Sequence, residues 1–321
     1  MDCTNINDII KSSKNILIIS HVNPDGDTLG SMCGLCTAIN QNFKKHCDML
    51  AISKIPSIYE YLPNISSVKH IEDIDKSREY DLVINVDVAA IDRICDAKIL
   101  FDKAKKTINI DHHKTNNSYG DINIINPDAS STGEVLYYFM QQSDWKIDLD
   151  TANCLYTAIL TDTGSFRFNN TKPETLHAAA ELVKLGVDPT DIYKKVYESD
   201  SKTLVMFQSY CISKAKFLDD DKIAYTTVYK KDMEKFGAND ECMEGLTEKL
   251  RAIVTTRVAF VAKEMKSGAT KFSMRSKFVD VAEICGVFGG GGHRFAAGCT
   301  IKAKPEDAIK QVLKEIKKRE I

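Results

Sequence analysis

Five aspartates and three histidines in the first half of the chain stand where they could act as one group. They are His21, Asp25 and Asp27 in HVNPDGD, the lone Asp87, the run Asp111-His112-His113, and Asp162. Each follows closely on an apolar stretch: ILIIS (16–20), DLVINV (81–86), TINI (107–110) and TANCLYTAIL (151–160). Carboxylates packed together repel one another, and burying them unpaired is expensive. Two divalent cations would offset the charge of Asp25, Asp27, Asp87 and Asp162 and let the site accept a phosphate. Mixed imidazole and carboxylate donors favour two Mn2+ ions, with Mg2+ or Co2+ as possible substitutes. A cation pair roughly 3.5–4 Å apart is the usual arrangement for in-line phosphoester hydrolysis. Taken singly, Asp25 and Asp27 also read as a turn and a helix N-cap, and Asp87 as a strand-end cap. Two adjacent histidines just past a buried strand rarely serve packing. Four junctions, each with a metal-competent side chain, point to function.

Positioning these groups takes a regular scaffold. Strand-like runs at 16–20, 46–52, 81–86 and 107–110 alternate with helical spacing at 28–42, 91–105 and 131–142. Ser131-Thr132-Gly133-Glu134 reads as a capping box, and Thr171-Lys172-Pro173-Glu174 opens a helix that stops at Gly186. Such alternation implies βαβ units, hence an α/β domain over 1–187 with a parallel sheet and helices on both faces. Ligands on such sheets sit beyond the carboxyl ends of the strands, where all four acidic segments fall. A charged helical linker is expected over 188–218. A smaller α/β domain follows over 219–321, with strands at 223–229, 257–265 and 270–275 and helices at 244–254 and 305–319.

The 321 residues fit two domains, and 43% hydrophobic against 27% charged residues supplies a real core, which excludes disordered and fibrous classes. Lys plus Arg is 43 and Asp plus Glu 45, a net charge of −2. A chain this balanced lacks the broad basic surface that holds long duplex nucleic acid, so a nucleic-acid partner should be short and single-stranded. The N-terminal MDCTNINDIIKSSKN lacks the apolar core of an export signal, and no apolar run approaches the roughly 18 residues of a membrane span. Ten scattered cysteines complete the reading of a cytoplasmic protein with free thiols and no membrane partner.

In the second half, Gly289-Gly290-Gly291-Gly292 could bring backbone N–H groups close to an anion. His293 and Arg294 add donors, and Arg275 offers a fork suited to phosphate. Lys263, Lys266, Lys271 and Lys277 read as a solvated face. Arg93 and Arg167 are further candidates near the acidic segments. Cys33-Gly-Leu-Cys36, Tyr137, Tyr138 and Phe139 read as core, and His46, His70 and His177 as structural or solvent-facing. Gly30, Ser31 and Gly34 are expected to let their helix lie close to the sheet.

These segments resemble the DHH phosphoesterase family over essentially the whole chain. His21…Asp25-x-Asp27, Asp87, Asp111-His112-His113 and Asp162 correspond to its four motifs in order, and Phe288-Gly289-Gly290-Gly291-Gly292-His293 to the signature of its associated C-terminal domain. The resemblance implies an enzyme acting on very short RNA and on adenosine 3′,5′-bisphosphate (pAp), with cyclic di-AMP or pApA as the alternative substrate. It also implies a first cation on His21, Asp25 and Asp87, and a second on Asp27, Asp87, His112 and Asp162. A hydroxide bridging the two would attack phosphorus in line. His113 would donate a proton or clamp the phosphate, Asp111 would orient a histidine, and Arg93, Arg275, Gly290, Gly291, Gly292, His293 and Arg294 would grip substrate. A homodimer is compatible with that reading.

Overall fold

A computed structural model describes residues 3–319, without the side chains of 3–5 and of His293. The chain divides into two compact units, the first ending at Ser199 and the second starting at Asp200. The first contains α1 (Cys3–Ser12), β1 (Ile16–Ile19), α2 (Gly26–Phe43), β2 (Cys47–Ala51), β3 (Lys69–His70), β4 (Leu82–Val86), α3 (Lys98–Lys103), β5 (Lys106–Asp111), β6 (Ile122–Ile125), α4 (Thr132–Gln142), α5 (Leu149–Asp162), α6 (Pro173–Lys184) and α7 (Pro189–Tyr197). Its six strands are all parallel, in the order β3-β2-β1-β4-β5-β6. The chain reverses its direction of travel between β1 and β4, and the crevice beyond their carboxyl ends is where such sheets bind ligands.

The central strands are apolar on both faces because both are covered. Ile16, Ile18, Leu82 and Ile84 share a core with residues of α2, α4 and α5, while Leu17, Ile19 and Val83 pack with Leu100 and Phe101 of α3. Each fully buried Leu or Ile contributes roughly 1.5–3 kcal/mol, so the sheet is the rigid part of the unit. Cys33 and Cys36 are buried in this core, as are Tyr137 and Phe139.

Three local expectations are corrected. The helix at 91–105 is a 3-10 segment (Ile91–Ala97) followed by the short α3, broken where Cys95 takes φ +47°. The small residues of α2 face α5 rather than the sheet: a Cβ on Gly30 would come within 2.5 Å of the Cys154 carbonyl oxygen. At α4, Ser131 caps as expected, accepting from the Glu134 N–H, but the Glu134 carboxylate turns away to Ser130 and Thr175.

The helices at 188–218 part company: Ile192 of α7 joins the first unit's core, while α8 (Lys202–Ser213) buries Phe207 and Cys211 in the second. The second unit continues with β7 (Lys216–Leu218), β8 (Ile223–Val228), α9 (Lys230–Phe236), α10 (Leu246–Arg251), β9 (Val258–Glu264), β10 (Thr270–Ser276), α11 (Val281–Gly286), β11 (Gly291–His293), β12 (Ala296–Ile301) and α12 (Pro305–Ile316). Its mixed sheet runs β11-β12-β10-β9-β8-β7 and packs one face on α11 and α12. No described helix is long and apolar enough to cross a membrane.

Candidate metal centre

The segment after β1 delivers three groups. Asp25 is the N-cap of α2 and accepts from the Thr28 N–H at 3.1 Å, so its capping duty and its place in the acidic cluster coincide. Asp27, in the first turn of the same helix, is buried and also meets the start of α4. It accepts from the Thr132 N–H at 2.8 Å and the Gly133 N–H at 2.9 Å. Two helix N-termini therefore face one carboxylate, a favourable arrangement for negative charge. Gly133 is required there because a Cβ would come 2.4 Å from that of Ala158.

Asp87, just past β4, is the hub. Its backbone takes φ +60°, a left-handed conformation that costs a residue with a Cβ about 1–2 kcal/mol. Its Oδ2 lies 3.3 Å from His21 Nε2, and its Oδ1 lies 3.6 Å from His112 Nε2. One carboxylate thus presents an oxygen to each of two imidazoles. His112 Nε2 also stands 3.6 Å from Asp27 Oδ2 and 3.7 Å from Asp162 Oδ2. Donor atoms of His21, Asp25 and Asp87 fall within 4.8 Å of one another, as do those of Asp27, His112 and Asp162. The fold brings all six expected ligands together, in two groups of three.

The tautomers suit cation binding. His21 Nδ1 lies 2.8 Å from the Val22 carbonyl, which places a proton there and leaves Nε2 facing Asp87. His113 Nδ1 lies 2.7 Å from Asp111 Oδ1, while Asn116 donates to Asp111 Oδ2 at 2.6 Å and to the Val88 carbonyl at 3.1 Å. Asp111 is thereby fully engaged as a support for His113, whose ring remains partly exposed.

Charge crowding is visible in the acidities. Burial, then the neighbouring Asp87, Asp162 and Asp25, push the Asp27 carboxyl well above the usual range. Burial likewise raises Asp162, to about 6, against the pull of His112. Burial also works against charge on Asp87, but its hydrogen bond to His21 and the nearby imidazoles outweigh that and hold it low. His113 rises to about 9, chiefly through its hydrogen bond to Asp111. The cluster is short of positive charge, which is what divalent cations would supply to this donor set.

Thr28 and Asn170 escaped the sequence reading, and Thr132 figured there chiefly as part of a cap. The Thr28 hydroxyl lies 2.6 Å from both Asp87 Oδ2 and His21 Nε2 and 3.2 Å from Asp25 Oδ1. The Thr132 hydroxyl donates to Asp87 Oδ1, and Asn170 donates to the Asp162 and Ser130 carbonyls. Only the Asp-x-Asp-Thr neighbourhood could have hinted at Thr28. Arg93 Nη2 sits 3.2 Å from His21 Nδ1, at the rim of the centre. Arg167 donates to the Gly164 carbonyl.

Within the second unit, the glycine run is not a free loop. Gly291–His293 forms β11, and a Cβ on Gly290 would come 2.2 Å from the Gly298 carbonyl. Arg275 spends its Nε on Glu248 Oε1 at 2.7 Å, and the Arg294 guanidinium lies over the Phe295 ring. The His293 side chain lies outside the described residues. The solvated face expected of four lysines is corrected for two: Lys263 is 14% exposed and paired with Asp240, and Lys277 donates to the Ile253 carbonyl at 2.7 Å. Strand β9 draws the first inward, and the turn before β9 captures the second.

Residues 15–159 match the family model described as "DHH family, N-terminal domain", and residues 220–319 match the "DHHA1 domain". The chain is 30% identical over 311 residues to a probable bifunctional oligoribonuclease and PAP phosphatase NrnA of Streptococcus mutans, covering 96% of this chain and 97% of that one. It is 28% identical to the bifunctional oligoribonuclease and PAP phosphatase NrnA of Bacillus subtilis, covering 89% of each. Among solved structures, an exopolyphosphatase-related protein from Bacteroides fragilis superposes with a TM-score of 0.90 at 26% identity, over 98% of this chain and 95% of that one.

Proposed function

Because the chain belongs to the DHH phosphoesterase family, in its oligoribonuclease and PAP phosphatase group, we propose that it hydrolyses very short single-stranded RNA and removes the 3′-phosphate of pAp with two Mn2+ ions. The observation that carries this reading is the division of labour at Asp87, with one carboxylate oxygen towards His21 and the other towards His112. His21, Asp25 and Asp87 would hold one cation, and Asp27, Asp87, His112 and Asp162 the other. Bound divalent cations supply the positive charge that the cluster lacks, polarise the phosphoryl group and acidify the attacking water.

The protein's own groups do the rest. Thr132 and Gly133 hold Asp27 through their N–H groups, and Thr28 and Thr132 fix the two oxygens of Asp87, so the donors need no rearrangement as charge develops. His113, kept charged at neutral pH by Asp111, is the proton donor to the leaving oxygen. Arg93, Gly290–Gly292, His293, Arg294 and Arg275 remain the candidates for gripping the rest of the substrate. The nine described cysteines are all free, which supports a reducing, cytoplasmic setting.

The test is one panel of purified protein with Mn2+ against pAp, a diribonucleotide, a five-nucleotide RNA, cyclic di-AMP and pyrophosphate. Turnover of pAp and the diribonucleotide is expected. Preference for cyclic di-AMP would move the assignment to a cyclic-dinucleotide phosphodiesterase, and hydrolysis of pyrophosphate alone would overturn it.

A further inference from the structure

We propose that a small pocket in the first unit, opening beside the carboxylate cluster, receives a nucleobase of the substrate, with Tyr197 as the ring on which the base stacks. The inference rests on the phosphoesterase reading and adds what that centre recognises beyond phosphorus. The pocket measures about 240 Å³. Pockets that take a whole small molecule usually begin near ~300 Å³, so this one has room for a fragment such as a single planar ring system.

Its lining joins two chemistries. Asp25 and Asp162, one from each group of cation donors, border it. Ile58, Val196 and Tyr197 supply apolar surface, of which Ile58 is 37% and Tyr197 36% exposed. None of its lining residues is cationic, so it does not suit a second phosphate. Besides the Tyr59 hydroxyl, which accepts from the Gly26 N–H, the polar groups present are the two carboxylates and the Thr161 hydroxyl, which donates to the Thr157 carbonyl at 3.0 Å. A neutral, flat, N–H-bearing ring fits this surface, and an anion does not.

The aromatic wall is fixed in advance. Tyr197 donates from its hydroxyl to the Leu160 carbonyl at 3.3 Å, tying the end of α7 to the last turn of α5, and its ring centroid lies 5.1 Å from that of Tyr193. A ring held in this way loses little freedom when a base stacks on it. Since Asp162 closes α5 and lines the pocket, a phosphate at the cation donors keeps its own nucleoside within reach of Tyr197. Pyrophosphate and polyphosphate have nothing to place there.

The experiment compares pAp with its abasic analogue, in which hydrogen replaces adenine, using the full-length Mn2+-loaded protein and reading the ratio of the two kcat/KM values. The wild type should favour pAp by about tenfold, within the range for one base–aromatic stack. Tyr197→Ala should bring the ratio near one, and Tyr197→Phe, which keeps the ring, should preserve it. A merely structural role for Tyr197 would lower both substrates together and leave the ratio untouched, which overturns the inference. A wild type that hydrolyses both equally also overturns it while leaving the phosphoesterase reading intact. A wild type that hydrolyses neither overturns that reading, and this inference with it.

Discussion

Replacing Asp87 by asparagine separates its role in the fold from its proposed role as a cation ligand. The backbone there takes φ +60°, and asparagine is among the few residues that accept this conformation readily, whereas alanine would add backbone strain of about 1–2 kcal/mol. Asparagine keeps the shape and an acceptor for Thr28 or Thr132 but removes the charge shared between His21 and His112. In metal-free protein the melting temperature should therefore change little. With Mn2+ at a hundred times its Kd, wild-type protein gains about 2.7 kcal/mol for each ion bound. At roughly 2–4 °C per kcal/mol for a unit of this size, that is a rise of about 5–11 °C. If losing the bridging charge weakens binding about 100-fold, the upper end for perturbing a metal's surroundings, the same Mn2+ stabilises Asp87→Asn by only about 0.4 kcal/mol, or about 1–2 °C. Thermal melts followed by circular dichroism, after chelation and then on adding Mn2+, decide it. An Asp87→Asn protein that gains as much as the wild type refutes the bridging role. One that fails to fold without metal makes Asp87 a structural residue instead.

Gly30→Ala should destabilise by about 1–3 kcal/mol in urea unfolding, although alanine improves helix propensity by about 1 kcal/mol, because the new Cβ would meet the Cys154 carbonyl; stabilisation would show that α2 can move off α5. Asp111→Asn removes the partner that raises His113 to about 9, so the alkaline limb of the kcat profile should move to lower pH; an unmoved limb assigns the proton donor elsewhere. Burial holds Asp162 at about 6 and Asp27 above its usual range, so Mn2+ must displace protons, more of them at pH 5.5 than at pH 8. Calorimetry in buffers of differing ionisation enthalpy should show that difference, and equal release at both would contradict it. The same raised pKa means that the folded metal-free protein binds the Asp162 proton more tightly than the unfolded chain does. Its contribution to stability is present at low pH and fades as pH rises from about 4 to about 6.

What could be read from residues alone follows from what each signal encodes. Strands β1, β4 and β5 are covered on both faces, so they appear as apolar runs, broken in β4 and β5 by a buried asparagine, and were legible to within a residue or two. Three of the acidic segments were legible because they directly follow those runs, and the fourth, Asp162, because it ends the apolar stretch of α5. Strands β3 and β6 sit at the sheet edges, are short and only partly buried, and leave little pattern. The break at Cys95 was hidden because apolar spacing at 91–105 does not reveal a residue at φ +47°. Long-range partners were hidden for a different reason. That the glycines of α2 face α5, that Arg275 pairs with Glu248, and that Thr132 and Gly133 donate to Asp27 depend on which elements pack together. Periodicity fixes which face of an element is apolar and is silent about its neighbour.

The centre is also the place where the fold works against itself. A left-handed aspartate, a second carboxylate whose charge is opposed by burial and by its acidic neighbours, and the crowding of Asp87, His21 and Asp25 around one Thr28 hydroxyl are each unfavourable, and they meet at one centre. Two helix N-termini at Asp27 reduce the strain without removing it, since its carboxyl still sits far above the usual range. A rigid parallel sheet can sustain such a site because its core is independent of it. The electrostatics then impose an order on binding. Without cations a phosphate would meet Asp25, Asp87 and Asp162 and be repelled; with them the same carboxylates would become the frame for a positive charge that draws the phosphate in.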